Sequence, residues 1–314
     1  MKKKFVIIIF ILCLILGILT VCFGIGKNTI IRGRNYVLWK VFGVSGEEQV
    51  IFGRDGWLFY SETLDDYTGE SALADEEISK ICDVLQYIDS YCAEYGAEFC
   101  FIAAPDKNTV YPEMMPGRYT YNPSDNCRRI SEASAERGLD VPDISALLKE
   151  HKGDSLLYHK NDTHWNNLGA SYVVDYITER YSDILTDSYK LSGLTYEEKR
   201  DFPGDLTGLL LPGREVYDSQ YYLDIRTSFR YTSYPDNMMD MIITAEKDAG
   251  GHIYMMRDSF ANAIIPLLSD QAGECFYTRS AVFASVEKAC ESGADIVIFE
   301  IAERNLRNLL EWSV

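Results

Sequence analysis

Apolar residues in this chain come in three textures. Residues 5–25, FVIIIFILCLILGILTVCFGI, form one uncharged apolar block behind Lys2-Lys3-Lys4. From about residue 47 the pattern becomes short apolar runs separated by stretches of helical spacing. Val50-Ile51-Phe52 and Trp57-Leu58-Phe59-Tyr60 flank Asp55-Gly56, which predicts a hairpin. Ile78, Ile81, Cys82, Leu85, Ile88 and Tyr91 recur at a period of 3.6, predicting a helix over 76–95 with Asp75 as N-cap and Gly96 closing it. Phe99–Ala104 is a continuous apolar run, the mark of a buried strand, and it delivers Pro105-Asp106-Lys107 at its C-terminal end.

The alternation continues to the end of the chain. A helix is predicted around 124–137, short strands around Leu139-Asp140-Val141 and Leu156-Leu157-Tyr158, and a helix on Leu168, Tyr172, Val173, Tyr176 and Ile177. The last third reads as strand His252–Met256, helix from Ala261, strand Glu274–Tyr277, helix 281–291 and strand Ile296–Phe299. Strands alternating with helices predict a parallel sheet covered on both faces. Between about 181 and 250 the third texture, rich in Tyr, Asp, Gly and Pro, predicts an insertion of short antiparallel strands, in the position of a lid.

The first block is long enough to cross a bilayer, for which roughly 20 apolar residues suffice. A cleaved signal would have a shorter apolar region and a small-residue exit. Thr20-Val21-Cys22-Phe23-Gly24 offers neither that exit nor a good lipid-bearing cysteine. The expected organisation is therefore a membrane anchor over 1–27, a basic linker over 28–46 and a folded domain over 47–314, facing outward from the cell membrane. Residues 1–40 hold seven Lys or Arg and no acid, leaving 23 basic and 48 acidic residues in the remainder. So acidic a domain repels polyanions, which argues against nucleic acid as a partner. The composition, 47% hydrophobic and 25% charged, is that of an ordinary folded protein. Cys82, Cys92, Cys100, Cys127, Cys275 and Cys290 show no C-x-x-C pair, and their pairing is left open.

Asp162-Thr163-His164-Trp165 and Arg257-Asp258-Ser259-Phe260 together supply an acid, a base and a hydroxyl. Serine attacks a carbonyl only when a base takes its proton, and the base works best with a carboxylate behind its ring. Ser259 sits between a predicted strand and helix, where a hydroxyl is exposed beside helix-start amides able to hold an oxyanion. Asn262 could donate to the same hole. Lys107 and the Asp162/His164 pair also fall at strand ends, where ligands gather in parallel sheets. Blander readings stand beside these: Ser259 as an N-cap, the Asp-x-His pair as a structural bond, Trp165 as core packing instead of a sugar-ring wall. His159, Asp162 and His164 could instead hold a metal, but no further ligand cluster completes that set.

The tetrad at 162–165 resembles the name-giving motif of the DHHW family, and the chain is similar more distantly to the SGNH hydrolase-like alginate O-acetyltransferases of the AlgX and AlgJ kind. The resemblance runs over about 48–310. It rests on Gly53-Arg54-Asp55-Gly56-Trp57-Leu58-Phe59, Pro105-Asp106-Lys107, Val110-Tyr111-Pro112-Glu113 and Tyr158-His159-Lys160-Asn161. Further matches are Gly204-Asp205-Leu206, Arg257-Asp258-Ser259-Phe260-Ala261-Asn262 and Glu303-Arg304. It implies a flavodoxin-like, three-layer SGNH α/β domain with Ser259 as nucleophile, His164 as base and Asp162 orienting the imidazole. Around them Asn262, Arg257, Lys107, Tyr158 and Trp165 would bind oxyanion or substrate. Arg257 stands where many SGNH proteins carry glycine. The implied activity is acyl transfer, of acetyl in the first instance, to a hydroxyl of a cell-surface or secreted polysaccharide. An integral membrane acyltransferase would deliver the acyl group, with no metal or other cofactor. A carbohydrate esterase using the same triad and a non-catalytic glycan-binding scaffold are the alternatives.

Overall fold

The computed structural model describes residues 26–153, 155–233, 241–246 and 249–312. The apolar block at 5–25 lies outside them. Among the described residues no helix is long and apolar enough to cross a membrane. The basic stretch that follows the block is helical: α1 (Lys27–Val37) buries Asn35, whose amide donates to the Leu210 carbonyl at 2.8 Å.

β1 (Val50–Phe52) and β2 (Leu58–Tyr60) form the expected antiparallel hairpin. α2 (Asp75–Glu94) is capped by the Glu77 carboxylate, which accepts the Ala74 N–H at 2.8 Å, and Gly96 ends it with φ at 77°. The chain then enters β3 (Glu98–Ala104), passes α3 (Asn126–Ala135), α4 (Ile144–Glu150) and α5 (Asn167–Arg180), and reaches β4 (Tyr196–Pro203). α6 (Asp205–Leu210) separates β4 from β5 (Tyr217–Leu223), and those two strands pair antiparallel in a sheet of their own. β6 (Arg230–Ser233), β7 (Ile242–Ala245), β8 (His252–Met256), α7 (Ala261–Ser269), β9 (Glu274–Thr278), α8 (Phe283–Glu291) and β10 (Ile296–Ala302) complete the core.

The main sheet has the order β3-β10-β8-β9-β7-β6. Its first four strands are parallel, whereas β7 and β6 add antiparallel at the β9 edge. The fold is thus an α/β fold with a mixed sheet, a correction to the parallel one expected. Part of the 181–250 stretch extends the sheet itself. Two more expectations fail locally. Leu139 and Val141 are buried on either side of an exposed Asp140 but form no strand, and of Leu156–Tyr158 only Tyr158 bridges, to Trp165. Two or three apolar residues fill a core gap as readily from a loop as from a strand.

The side-chain alternation of β3, β8 and β10 sorts the core onto two faces. Cys100, Ile102, Ile253, Met255, Ile296 and Ile298 pack with residues of α5 and α7. Phe99, Phe101, Tyr254, Met256, Val297 and Phe299 pack with α2, α3 and α8. The β9–α8–β10 connection carries the chain back across β8. The C-terminal end of β8 therefore opens beside a strand on either side, the crevice geometry in which α/β sheets hold ligands.

Candidate active site

The loop from Tyr158 to Trp165 is pinched at its base, with the Tyr158–Trp165 bridge and a 3.3 Å bond from His159 N–H to the His164 carbonyl. Carbonyls inside such a loop need donors, and Lys107 supplies them. Its ammonium donates to the carbonyls of His159 and Lys160 at 3.1 Å and of Asp162 at 2.5 Å. Burial pulls Lys107 down to about 8, against the upward pull of Asp162, Asp205 and Asp218. On the far side Asn166 caps α5, accepting the Leu168 and Gly169 N–H groups. Gly169 lets that helix close in, since a Cβ there would lie 2.3 Å from the Leu157 carbonyl oxygen.

This frame presents Asp162 and His164 as a unit. Asp162 Oδ1 accepts from His164 Nδ1 at 2.7 Å and from the His164 backbone N–H at 2.9 Å, while Oδ2 accepts the Asp205 N–H at 2.8 Å. Burial alone would raise the Asp162 pKa. The bonds and charge of His164, with the Asp205 amide, outweigh it and hold the carboxyl below its usual range. With Asp162 ionised, Nδ1 carries a proton and Nε2 is left to act as base. His164 Nε2 lies 2.8 Å from Ser259 Oγ.

Ser259 lies in the short turn between β8 and α7. Asp258 ties down the turn: its backbone N–H donates to Glu300 at 2.9 Å, and its carboxylate accepts the N–H groups of Phe260 and Ala302, both at 2.8 Å. The Asn262 N–H goes to the Ser259 carbonyl at 3.2 Å, so two of the helix-start amides expected for an oxyanion are already committed. Asn262 compensates through its side chain. Arg257 Nη1 donates to Asn262 Oδ1 at 2.8 Å, and a guanidinium has no acceptor, so the Asn262 NH₂ must point the other way. Arg257, which is buried, also donates to the Asp258 carbonyl at 3.1 Å.

The structure therefore brings together Ser259, His164 and Asp162, with Asn262 beside them and Arg257 behind Asn262. It does not bring the others to the cleft as substrate contacts. Lys107 is a buried staple of the loop. Tyr158 is fully buried, its hydroxyl donating to the Pro105 carbonyl. Trp165 is 1% exposed and donates Nε1–H to the Phe260 carbonyl at 2.9 Å, so its indole underlies the cleft floor with little surface to offer. His164 packs edge-on against Phe260 at 4.8 Å, which fixes the ring from its other side.

The metal alternative from the sequence is not assembled, because His159 Nδ1 faces the Ser219 carbonyl at 2.9 Å and its ring stacks on Phe202. Asp162, His164 and Asp205 do offer atoms within 4.8 Å of one another. Both Asp162 oxygens, His164 Nδ1 and Asp205 Oδ1 are already engaged, Oδ1 by the Thr163 N–H at 2.9 Å, while Asp205 Oδ2 lies 3.7 Å from His164 Nδ1. Asp205 is the functional neighbour that sequence reasoning noticed only as part of a motif. Gly204 before it permits the contact, as a Cβ there would meet the Asn161 carbonyl oxygen at 2.3 Å.

An α/β domain with a serine at the end of a sheet strand, an imidazole on its hydroxyl and a carboxylate behind the ring is the arrangement of SGNH-type hydrolases and their transferase relatives. A family model described as "SGNH hydrolase-like domain, acetyltransferase AlgX" matches residues 50–238, and the chain belongs to that family. The match takes in Asp162 and His164 and stops short of Ser259. The probable alginate O-acetylase AlgJ of Pseudomonas putida is 25% identical over 175 residues, 55% of this chain and 44% of that protein. That of Pseudomonas aeruginosa is 25% identical over 168 residues, 52% and 42% respectively, so the matched part spans under half the length of either relative. Among solved structures, Bacillus cereus PatB1 superposes with a TM-score of 0.61 at 15% identity, over 82% of this chain and 98% of that one. A DHHW family protein from Eubacterium siraeum gives 0.55 at 15% identity, over 75% and 90%. The O-acetyltransferase domain of P. putida AlgJ gives 0.53 at 17%, over 82% and 92%. These likenesses establish a shared fold.

Proposed function

We propose that this protein is a serine-dependent O-acyltransferase that moves an acyl group, acetyl foremost, onto a hydroxyl of a polysaccharide outside the cytoplasm. The observation that carries the reading is the pair of contacts on His164: Nε2 at 2.8 Å from Ser259 Oγ and Nδ1 at 2.7 Å from Asp162 Oδ1. Ser259 Oγ attacks the donor's acyl carbon as His164 Nε2 takes its proton. The tetrahedral oxyanion is held by the Ser259 N–H and the Asn262 NH₂, and its collapse expels the leaving group, which His164 protonates. An acceptor hydroxyl then gives its proton to His164 and attacks the acyl carbon; collapse of the second tetrahedral intermediate breaks the bond to Ser259 Oγ, which takes the proton back from His164, and the acceptor leaves as the ester. Water in that second step would make the same site an esterase.

The apolar stretch 5–25 supports a single membrane anchor; with it we propose a domain facing outward that takes its acyl group from a membrane-embedded acyltransferase. The acyl-enzyme is testable directly. Incubation with p-nitrophenyl acetate is expected to add one acetyl group to Ser259, found by mass spectrometry, and Ser259→Ala to abolish it. Release of that acetyl to a glycan faster than to water identifies a transferase. A folded wild-type protein that never acquires the acetyl group would refute the reading and leave a glycan-binding scaffold.

A further inference from the structure

The catalytic serine opens into a cleft of about 170 Å³ whose far wall belongs to the β4–β5 hairpin. Phe202 and Gln220 come from the hairpin, His159 and Asn167 from either side of the tetrad, and Asn262 and Ala263 from α7. This is smaller than the roughly 300–1,000 Å³ of pockets that enclose a whole ligand, so it suits one ring of a longer chain. The polar groups have fixed polarity. Gln220 Oε1 accepts the N–H groups of Asn167 and Tyr221, both at 3.0 Å, so the end it can offer a ligand is its NH₂. Asn167 Nδ2 donates to the Tyr221 carbonyl at 2.9 Å, which leaves its Oδ1 able to accept. Phe202 stacks on His159 with centroids 3.9 Å apart and planes 3° from parallel, and this aromatic pair gives the cleft an apolar side.

Charge is the second observation. Apart from His164 itself, the lining offers no cationic side chain. Burial pulls His159 down to about 4, so it stands neutral beside the site. Behind the lining lie carboxylates: Asp162 on the imidazole, Asp205 at 3.7 Å from the same nitrogen, and Asp218 bonded to Asn161. Arg257 touches the lining through Asn262, but it is buried and committed to Asn262 Oδ1 and the Asp258 carbonyl. A uronate carboxylate seated here would lose water and face like charge, and the cations nearby are engaged elsewhere, Arg304 with Asp106 and Lys107 with the carbonyls of His159, Lys160 and Asp162. A neutral ring needs only what is present: an apolar face for its C–H groups, an amide donor and an amide acceptor for its hydroxyls.

We infer that the acceptor subsite, bounded by Phe202, His159, Gln220 and Asn167, selects an uncharged pyranose and excludes uronates. This builds on the transferase reading above by naming the acceptor's chemical class. The test is equilibrium binding to full-length Ser259→Ala, so it does not depend on acylation. Cellohexaose, maltohexaose and mannohexaose are compared with hexamannuronate by titration calorimetry at low ionic strength. At least one neutral oligomer is expected to bind about tenfold or more tightly than the uronate, a gap of roughly 1.4 kcal/mol. The gap is expected to narrow with added salt, which screens the repulsion. Ala263→Lys, which puts a cation on the rim, is expected to shift the preference toward hexamannuronate. Uronate binding as tight as that of the neutral sugars, or no binding by any neutral oligomer, would overturn the assignment. Failure of Ser259 to acylate, with neutral-sugar binding intact, would instead count against the transferase reading alone.

Discussion

Arg257 and Asn262 make a pair whose energies are not expected to add. Asn262→Ala removes a side-chain donor from the oxyanion, which in serine enzymes costs about 10²–10³ in rate. Arg257 touches no reacting atom. Its bond to Asn262 Oδ1, 2.8 Å long and charge-assisted, fixes which end of the amide faces the serine. Bonds of that kind contribute roughly 1.5–3 kcal/mol. Arg257→Met is therefore expected to slow acylation by about 10- to 100-fold, at roughly 1.4 kcal/mol per decade. If the arginine acts through the asparagine, the double variant is about as slow as Asn262→Ala alone; independent action would multiply the losses to about 10³–10⁵. The assay is the pre-steady-state rate of Ser259 acetylation by p-nitrophenyl acetate, run well below each variant's melting temperature because Arg257 is buried. Multiplicative losses in the double variant would refute the positioning role.

Asp162→Asn is expected to lower acylation by up to about 10⁴-fold, because an amide no longer holds the imidazole tautomer that leaves Nε2 as base. Asp162 is held below its usual carboxyl range, so its stabilisation is present above the ordinary carboxylate pKa and lost as pH falls beneath it. The Asn variant should therefore show a flatter acid limb in a melting-temperature profile. Gly204→Ala would drive a Cβ to 2.3 Å from the Asn161 carbonyl oxygen. A loss of about 1–3 kcal/mol in denaturant unfolding, with slower acylation as the Asp205 amide moves off Asp162, is expected. Burial first, then Asp106 and Asp66, pushes Glu303 up to about 8. The folded protein thus keeps a proton that the unfolded chain releases above 4.5, and it loses stability as pH rises from there to about 8. Glu303→Gln keeps an oxygen for the Asp106 N–H and removes this term, so its melting temperature relative to wild type is expected to climb between pH 5 and pH 8.

Much of this architecture is legible in the chain because the physics that forms it is local. β3, β8 and β10 are continuous apolar runs because they are covered on both faces, and α2 shows a 3.6-residue period because one side meets the sheet. The residues of the triad could be picked out by type and placed at strand ends, but their distances could not. Lys107 illustrates the limit. A polar residue after a buried strand can turn out to ligand or in to backbone, and only the carbonyls of residues 159–162 decide which. The antiparallel pairing of β7 with β9 depends on partners far apart in the chain, so the sheet looked wholly parallel. Phe202 and Gln220 belong to a segment whose composition suggests only a loop-rich insertion, and nothing local marks them as walls of the cleft.

The β4–β5 hairpin stands outside the main sheet, yet its connecting helix supplies the backbone amide that steadies Asp162. A contact that repacks Phe202 or Gln220 is thereby linked, through a few residues, to the electrostatics of the imidazole. Under the proposed function, the wall that meets the glycan and the amide that holds the acid would belong to one hairpin, separate from the sheet that carries the serine.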